Sequence, residues 1–163
     1  MSVGYSNLYD TSGNALERRF EAGKTVTVTG HWDYTAALTS ATNTTNTYYK
    51  AYLCPVPAGA QITDIKLFAT DSDSGATTTA NLGDGTDSTR FFSAITTLQA
   101  GGVAGVASCV VPVVTSGIIS KGIGYTFTAN DDIIFQIQTG SSGSATSGTI
   151  GAIVEYYCNP SFK

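Results

Sequence analysis

Charge is scarce in this sequence: Asp, Glu, Lys and Arg together make up 12% of 163 residues, about half the usual share. Eight Lys and Arg face twelve Asp and Glu, for a formal charge of −4, and no basic run exists. Binding to phosphates needs clustered cations that displace counterions, so nucleic acid is not an expected partner. Imidazole is limited to His31. A hydrolytic triad would have to use it, but no GxSxG elbow accompanies it, and beside Trp32 and Tyr34 it reads as a packed or surface histidine. The three cysteines, Cys54, Cys109 and Cys158, are odd in number and widely spaced. They match neither a disulfide framework nor a zinc knuckle and read as reduced, buried thiols. No metal and no cofactor is expected.

Long apolar runs are also missing. Stretches such as Cys109 to Val114 fall far short of the roughly 20 residues that cross a bilayer as a helix, so no membrane partner is expected. Met1 to Asp10 has neither the charged start nor the apolar centre of a secretory signal, and the protein is expected to be made and used without export. Gly83-Asp84-Gly85 lacks the later Gly, the Lys and the helix of a phosphate-binding loop.

What the chain has is uncharged polarity and β-forming residues. It contains 25 Thr, 16 Ser and 18 Gly, with 42% hydrophobic residues including 9 Tyr and 7 Phe. That is too much apolar surface for a disordered chain, and a chain of this size buries roughly two-thirds of its unfolded surface as one domain. Lys24 to Thr29 alternates so that Val26 and Val28 share one face and three Thr the other, a half-buried strand. Further strands are expected at Tyr48 to Leu53, Gln61 to Ala69, Thr77 to Leu82, Phe91 to Ile95, Val106 to Val114, Gly124 to Thr128, Ile133 to Thr139 and Thr149 to Tyr157. Nine strands make two packed sheets, so the expected class is an all-β, single-domain, two-sheet β-sandwich. In the last strand Ile150, Ala152, Val154 and Tyr156 oppose Gly151, Ile153, Glu155 and Tyr157, and both faces are apolar enough for the second to meet a neighbour.

Residues 1–23 read as a short N-terminal arm ahead of a sandwich over 24–163. Within the arm Leu16 and Phe20 lie four apart, Ser12 or Asn14 offers a cap and Gly23 a stop, which predicts one short helix carrying Glu17, Arg18, Arg19 and Glu21. Thr39 to Thr47 and Gly140 to Gly148 are polar low-complexity loops. The richest carboxylate cluster, Asp71, Asp73, Asp84 and Asp87, flanks an expected hairpin and reads first as turn chemistry. An EF-hand fails because Leu82 falls where the bidentate Glu belongs, while a looser calcium site stays open.

The stretch Val56-Pro57-Ala58-Gly59-Ala60-Gln61-Ile62-Thr63-Asp64-Ile65-Lys66-Leu67, followed by Asn81-Leu82-Gly83-Asp84-Gly85-Thr86-Asp87-Ser88-Thr89-Arg90-Phe91, resembles small structural proteins of tailed bacteriophages. Asn130 to Phe135 and Gly148 to Tyr156 are similar to their last two strands. The resemblance covers Val56 to Phe91 and Tyr125 to Tyr157. It implies a noncatalytic head decoration or cement protein with a jelly-roll-like sandwich, bound to the major capsid protein on the capsid exterior after assembly in the host cytoplasm. Self-association is implied as well, with trimers suiting the local threefold points of an icosahedral shell. On this reading Leu16, Arg18, Arg19 and Phe20 are arm contacts, and Tyr49 and Tyr157 are rings at subunit contacts.

Two other readings use different residues. A carbohydrate- or receptor-binding module of a phage tail or fibre would stack sugars on Trp32, Tyr34 and Tyr48. A cell-wall hydrolase would pair Asp84 with Asp131.

Overall fold

The computed structural model describes residues 3–9, 12–13, 15–16, 20–35, 49–70, 79–95, 122–139 and 147–161. All regular structure among them is β. Strands β1 (Val3–Tyr5), β2 (Thr25–Thr35), β3 (Tyr49–Val56), β4 (Ala60–Thr70), β5 (Thr79–Gly83), β6 (Phe92–Ile95), β7 (Asp131–Thr139) and β8 (Ser147–Cys158) follow in chain order. They form a five-stranded sheet, β1-β3-β7-β5-β6, and a three-stranded sheet, β2-β8-β4. Every pairing is antiparallel except β1 on β3.

The expected strand Gly124 to Thr128 is present only as a single bridge, Thr126 to Gln61. Four backbone bonds still lay 124–127 along the outer edge of β4: Ile62 N to Tyr125 O, Gly124 N to Ile62 O, Phe127 N to Ala60 O and Gly59 N to Phe127 O, all 2.7 to 3.0 Å. With this segment counted, the small sheet reads β2-β8-β4-(124–127) and faces β3-β7-β5-β6. Among the described residues from β2 onward, successive elements lie in alternate sheets except for the β5–β6 hairpin, which is the winding of a jelly roll. The expected strand Val106 to Val114 lies outside the described residues.

Alternation builds the core. Val26, Ile65, Leu67, Ile150, Ala152, Val154 and Tyr156 point inward from the small sheet, and Ala51, Leu53, Ala80, Leu82, Ile133 and Phe135 from the large one, each at most 6% exposed. Bulges adjust the parity where the pattern slips. The register shift between Ile62 and Asp64 lets Ile62 and Ile65 both face inward. The shift between Tyr52 and Cys54 leaves Leu53 and Cys54 both buried. Gly30 marks a close approach of the two sheets, because a Cβ there would lie 1.8 Å from the Leu53 carbonyl oxygen.

The short helix expected between Ser12 and Gly23 is not formed among the described residues. Ala15 pairs with Tyr9 as an antiparallel bridge, and the Leu16 N–H donates to Leu8 O at 2.9 Å, eight residues back. Strand-like pairing with a neighbouring segment outcompetes one marginal helical turn. The first strand was also unexpected: Val3-Gly4-Tyr5 runs parallel to Lys50-Ala51-Tyr52, a signal too short to read by periodicity.

Candidate functional site

The Asp-Gly turn between β5 and β6 closes on itself through side chains. Asp84 Oδ1 accepts from Thr86 N (2.9 Å), Thr86 Oγ1 (2.8 Å) and Asp87 N (2.7 Å), and Oδ2 pairs with Arg90 Nε. Asp87 Oδ1 repeats the motif with Thr89 N and Oγ1, both at 2.9 Å. The Asp87 carbonyl accepts from Asp84 N and Arg90 N, and Phe91 N returns to Leu82 O. Gly83 is required, since a Cβ would lie 2.1 Å from Asp87 O. Arg90 in turn lies 3.8 Å over the Tyr125 ring, whose edge meets Phe127 at 5.0 Å. One arginine thus ties the turn to the segment 124–127 across the end of the sandwich.

A second chain of contacts continues from Gly85. Its N–H donates to Asp131 Oδ1 at 3.0 Å, which also accepts from Asp132 N at 2.8 Å. Asp132 Oδ1 accepts from the Tyr9 hydroxyl at 2.8 Å, and the Tyr9 ring meets Tyr52 edge-on at 6.1 Å. The Asp131 carboxylate therefore binds the backbone of Gly85, the residue that follows Asp84.

Electrostatics decides what Asp84 does. Burial opposes its ionisation, but the donors from Asp87, Arg90 and Thr86 outweigh that and hold the carboxyl below the usual range. Arg90, against the desolvation of its partial burial, is held charged by Asp84. A glycosidase acid needs a raised pKa, which Asp84 does not have, and both of its oxygens are taken up by Thr86, Asp87 and Arg90 as a fixed anion of the turn. Among the described residues no three His, Cys, Asp or Glu side chains gather as a metal site. Asp71 and Asp73 lie outside them.

His31 is half-buried, 4.0 Å from Asp33. Cys54 and Cys158 are free and buried, and burial pushes the Cys54 thiol up to about 12 against a weaker lowering by the Gly30 backbone. Trp32 is half-buried and packs on the core. Tyr48 and the side chain of Tyr34 lie outside the described residues.

The contact candidates divide likewise. Leu16 is 66% and Phe20 37% exposed, and Ile123 joins them at 40%. Ile123 stands between Gly122 and Gly124, and an aliphatic side chain flanked by two turn glycines was its sequence signal. Tyr157 is half-buried on the outer face of the small sheet, between Thr25 and Gln61, while Tyr156 fills the core. Tyr49 pairs with Ile137 through its backbone. Arg18, Arg19 and the side chain of Tyr49 lie outside the described residues.

Residues 6–7, within the expected N-terminal arm, stitch the two sheets together. Buried Ser6 donates from Oγ to Leu53 O at 2.6 Å and from N to Tyr52 O at 2.9 Å in β3. Asn7 accepts the His31 N–H on Oδ1 and donates its own N–H to His31 O in β2, both at 2.9 Å.

No protein-family model matches the chain, and no curated protein matches it. Among solved structures, its fold is similar to a chain of the cyanophage Pam1 capsid asymmetric unit, with a TM-score of 0.60 and 24% identity over 93% of this chain and 99% of that chain.

Proposed function

We propose that this chain is a noncatalytic structural protein of a phage head, which binds the outer capsid surface through the major capsid protein and stabilises the shell. The observation that carries the reading is the end-to-end likeness to a chain of a phage capsid asymmetric unit. The chemistry of the turn agrees. Its carboxylates are committed to backbone and Arg90, so the segment that carries the sequence resemblance serves architecture.

The side chains offered to the capsid are Leu16, Phe20 and Ile123, which are apolar and exposed. Their burial at a protein interface is worth about 25 cal/mol for each Å² of apolar surface removed from water, before association costs. Trimers about local threefold points fit this role. The test is the molar ratio of this chain to the major capsid protein in purified virions, read by gel densitometry and mass spectrometry. A ratio near one, or a simple fraction such as one-third, is expected. A handful of copies per particle would overturn the reading and favour a carbohydrate- or receptor-binding module of a tail or fibre.

A further inference from the structure

The outer edge of β2 is built to accept another strand. Among the described residues β2 pairs with β8 on one side only, over eleven residues without a register shift. Its hydrogen-bonding parity is fixed at both ends. Cys158 N donates to Lys24 O, so the even residues address β8. His31 gives its N–H and C=O to Asn7, so the odd residues address the open edge. Asn7 occupies the place of a neighbouring strand at that one position. Below it, the backbone N–H and C=O groups of Thr27 and Thr29 have no hydrogen-bond partner among the described residues, and the side chains of Thr25, Thr27 and Thr29 are exposed.

Edges of this kind are ordinarily blunted by charge, proline or a bulge. The stretch Thr25-Val26-Thr27-Val28-Thr29 has none of them. It is also palindromic about Thr27. Two copies laid antiparallel about a twofold axis at Thr27 place Thr25 opposite Thr29, Thr27 opposite Thr27 and Val26 opposite Val28. No like charges meet across the stretch, and Lys24 falls opposite Gly30. Threonine pairs on one face and valine pairs on the other are favourable cross-strand neighbours.

We propose that the occupant of this edge is a second copy of the same chain, paired through β2 as an isologous twofold contact. The two small sheets then run on as one, β4-β8-β2 joined to β2-β8-β4. The contact does not rest on the capsid reading, since the edge pairs free copies equally well. If trimers also form at threefold points, twofold edges of this kind link one trimer to the next.

Sedimentation of the full-length protein across a dilution series is expected to show reversible association into even-numbered species. Thr27→Pro removes an outward N–H, which an edge strand tolerates, and is expected to weaken association at least about tenfold. Thr27→Lys does the same by charge repulsion, with unchanged melting as evidence of an intact fold. Register is read with a short reagent that bridges two thiols. Thr27→Cys alone is expected to cross-link to itself. Thr25→Cys is expected to cross-link to Thr29→Cys but not to itself, because residue 25 of the second copy lies four residues away, about 14 Å at 3.4 Å per residue. A wild type that stays monomeric or purely trimeric overturns the proposal. So does association that survives both Thr27 variants, or cross-linking of Thr25→Cys to itself.

Discussion

Asp84 and Arg90 show how a turn motif becomes a structural lock. Asp84 has a fully buried side chain and Arg90 one that is 18% exposed, so removing the cation leaves a buried carboxylate with only neutral donors. Arg90→Met is expected to cost about 3 kcal/mol, the usual penalty for breaking such a pair from one side, as read by chemical denaturation. The acid limb follows from the lowered pKa of Asp84. Its contribution is full above the unfolded carboxyl value of about 3.9 and is lost as pH falls through the lower folded value. Asp84→Asn is therefore expected to be less stable at pH 7 but to show a flatter loss of stability below pH ~4 in acid titration.

Cys54 makes the opposite case, a group silenced by its surroundings. With its thiol pushed up to about 12 and no exposure, it is not a thiolate at neutral pH. Native protein treated with a thiol reagent is expected to stay unmodified at Cys54 and Cys158, and both are expected to react in denaturant. Peptide mapping by mass spectrometry checks this. The sequence had already indicated such thiols, because their number and spacing fit no cross-link. The partners of Asp84 were only half legible: the residues were adjacent in sequence, but Tyr125, which lies against Arg90, is 35 residues away, and no local pattern announces it.

At the scale of elements, alternation was a sound guide where a strand has one wet face. Val26 and Val28 point inward and three Thr outward, as the pattern of Lys24 to Thr29 requires. It failed where strands meet irregularly. The bulge at Thr63 could not be seen in Gln61 to Ala69, because a single extra residue changes parity without changing composition. That bulge brings Asp64 beside Glu155, and the structure relieves the like charges by pairing Asp64 with Lys66 at 3.3 Å and Glu155 with the Thr63 hydroxyl at 2.9 Å. Gly30, just past the alternating stretch Lys24 to Thr29, is the crossing point of two sheets. Gly30→Ala is expected to cost at least about 2 kcal/mol by overpacking. Gly23→Asn is expected to be nearly neutral, because its φ of +75° suits Asn and a Cβ there meets open space.

The N-terminal clamp belongs to the same scale. Asn7→Ala removes the bond to the His31 N–H and is expected to destabilise the protein by about 1 kcal/mol, with faster hydrogen exchange at the His31 amide as its specific mark. Gly, Ser and Asn in a short polar stretch looked like the start of an arm. Their role depends on what they touch, and both partners, Leu53 and His31, lie in other strands.

Over the whole molecule, deletion of residues 1–9 is expected to lower the melting temperature and not merely to release an appendage, since β1, Ser6, Asn7 and Tyr9 all bond to the sandwich. Calorimetry of the truncated chain checks this, and an unchanged melting temperature would show that these bonds contribute little.

The sequence by itself determined the class of the protein: scarce charge, abundant Thr and recurring β-branched runs admit a two-sheet sandwich and little else, because burial of alternating faces is a local property of each strand. Only the tertiary structure decided the order of the strands, the reduction of 124–127 to a bridged edge, the lock of Asp84 by Arg90 and the open edge of β2. Those depend on which segments meet across long separations, where many pairings satisfy the same alternation and the bulges, close approaches and shared hydrogen bonds select one.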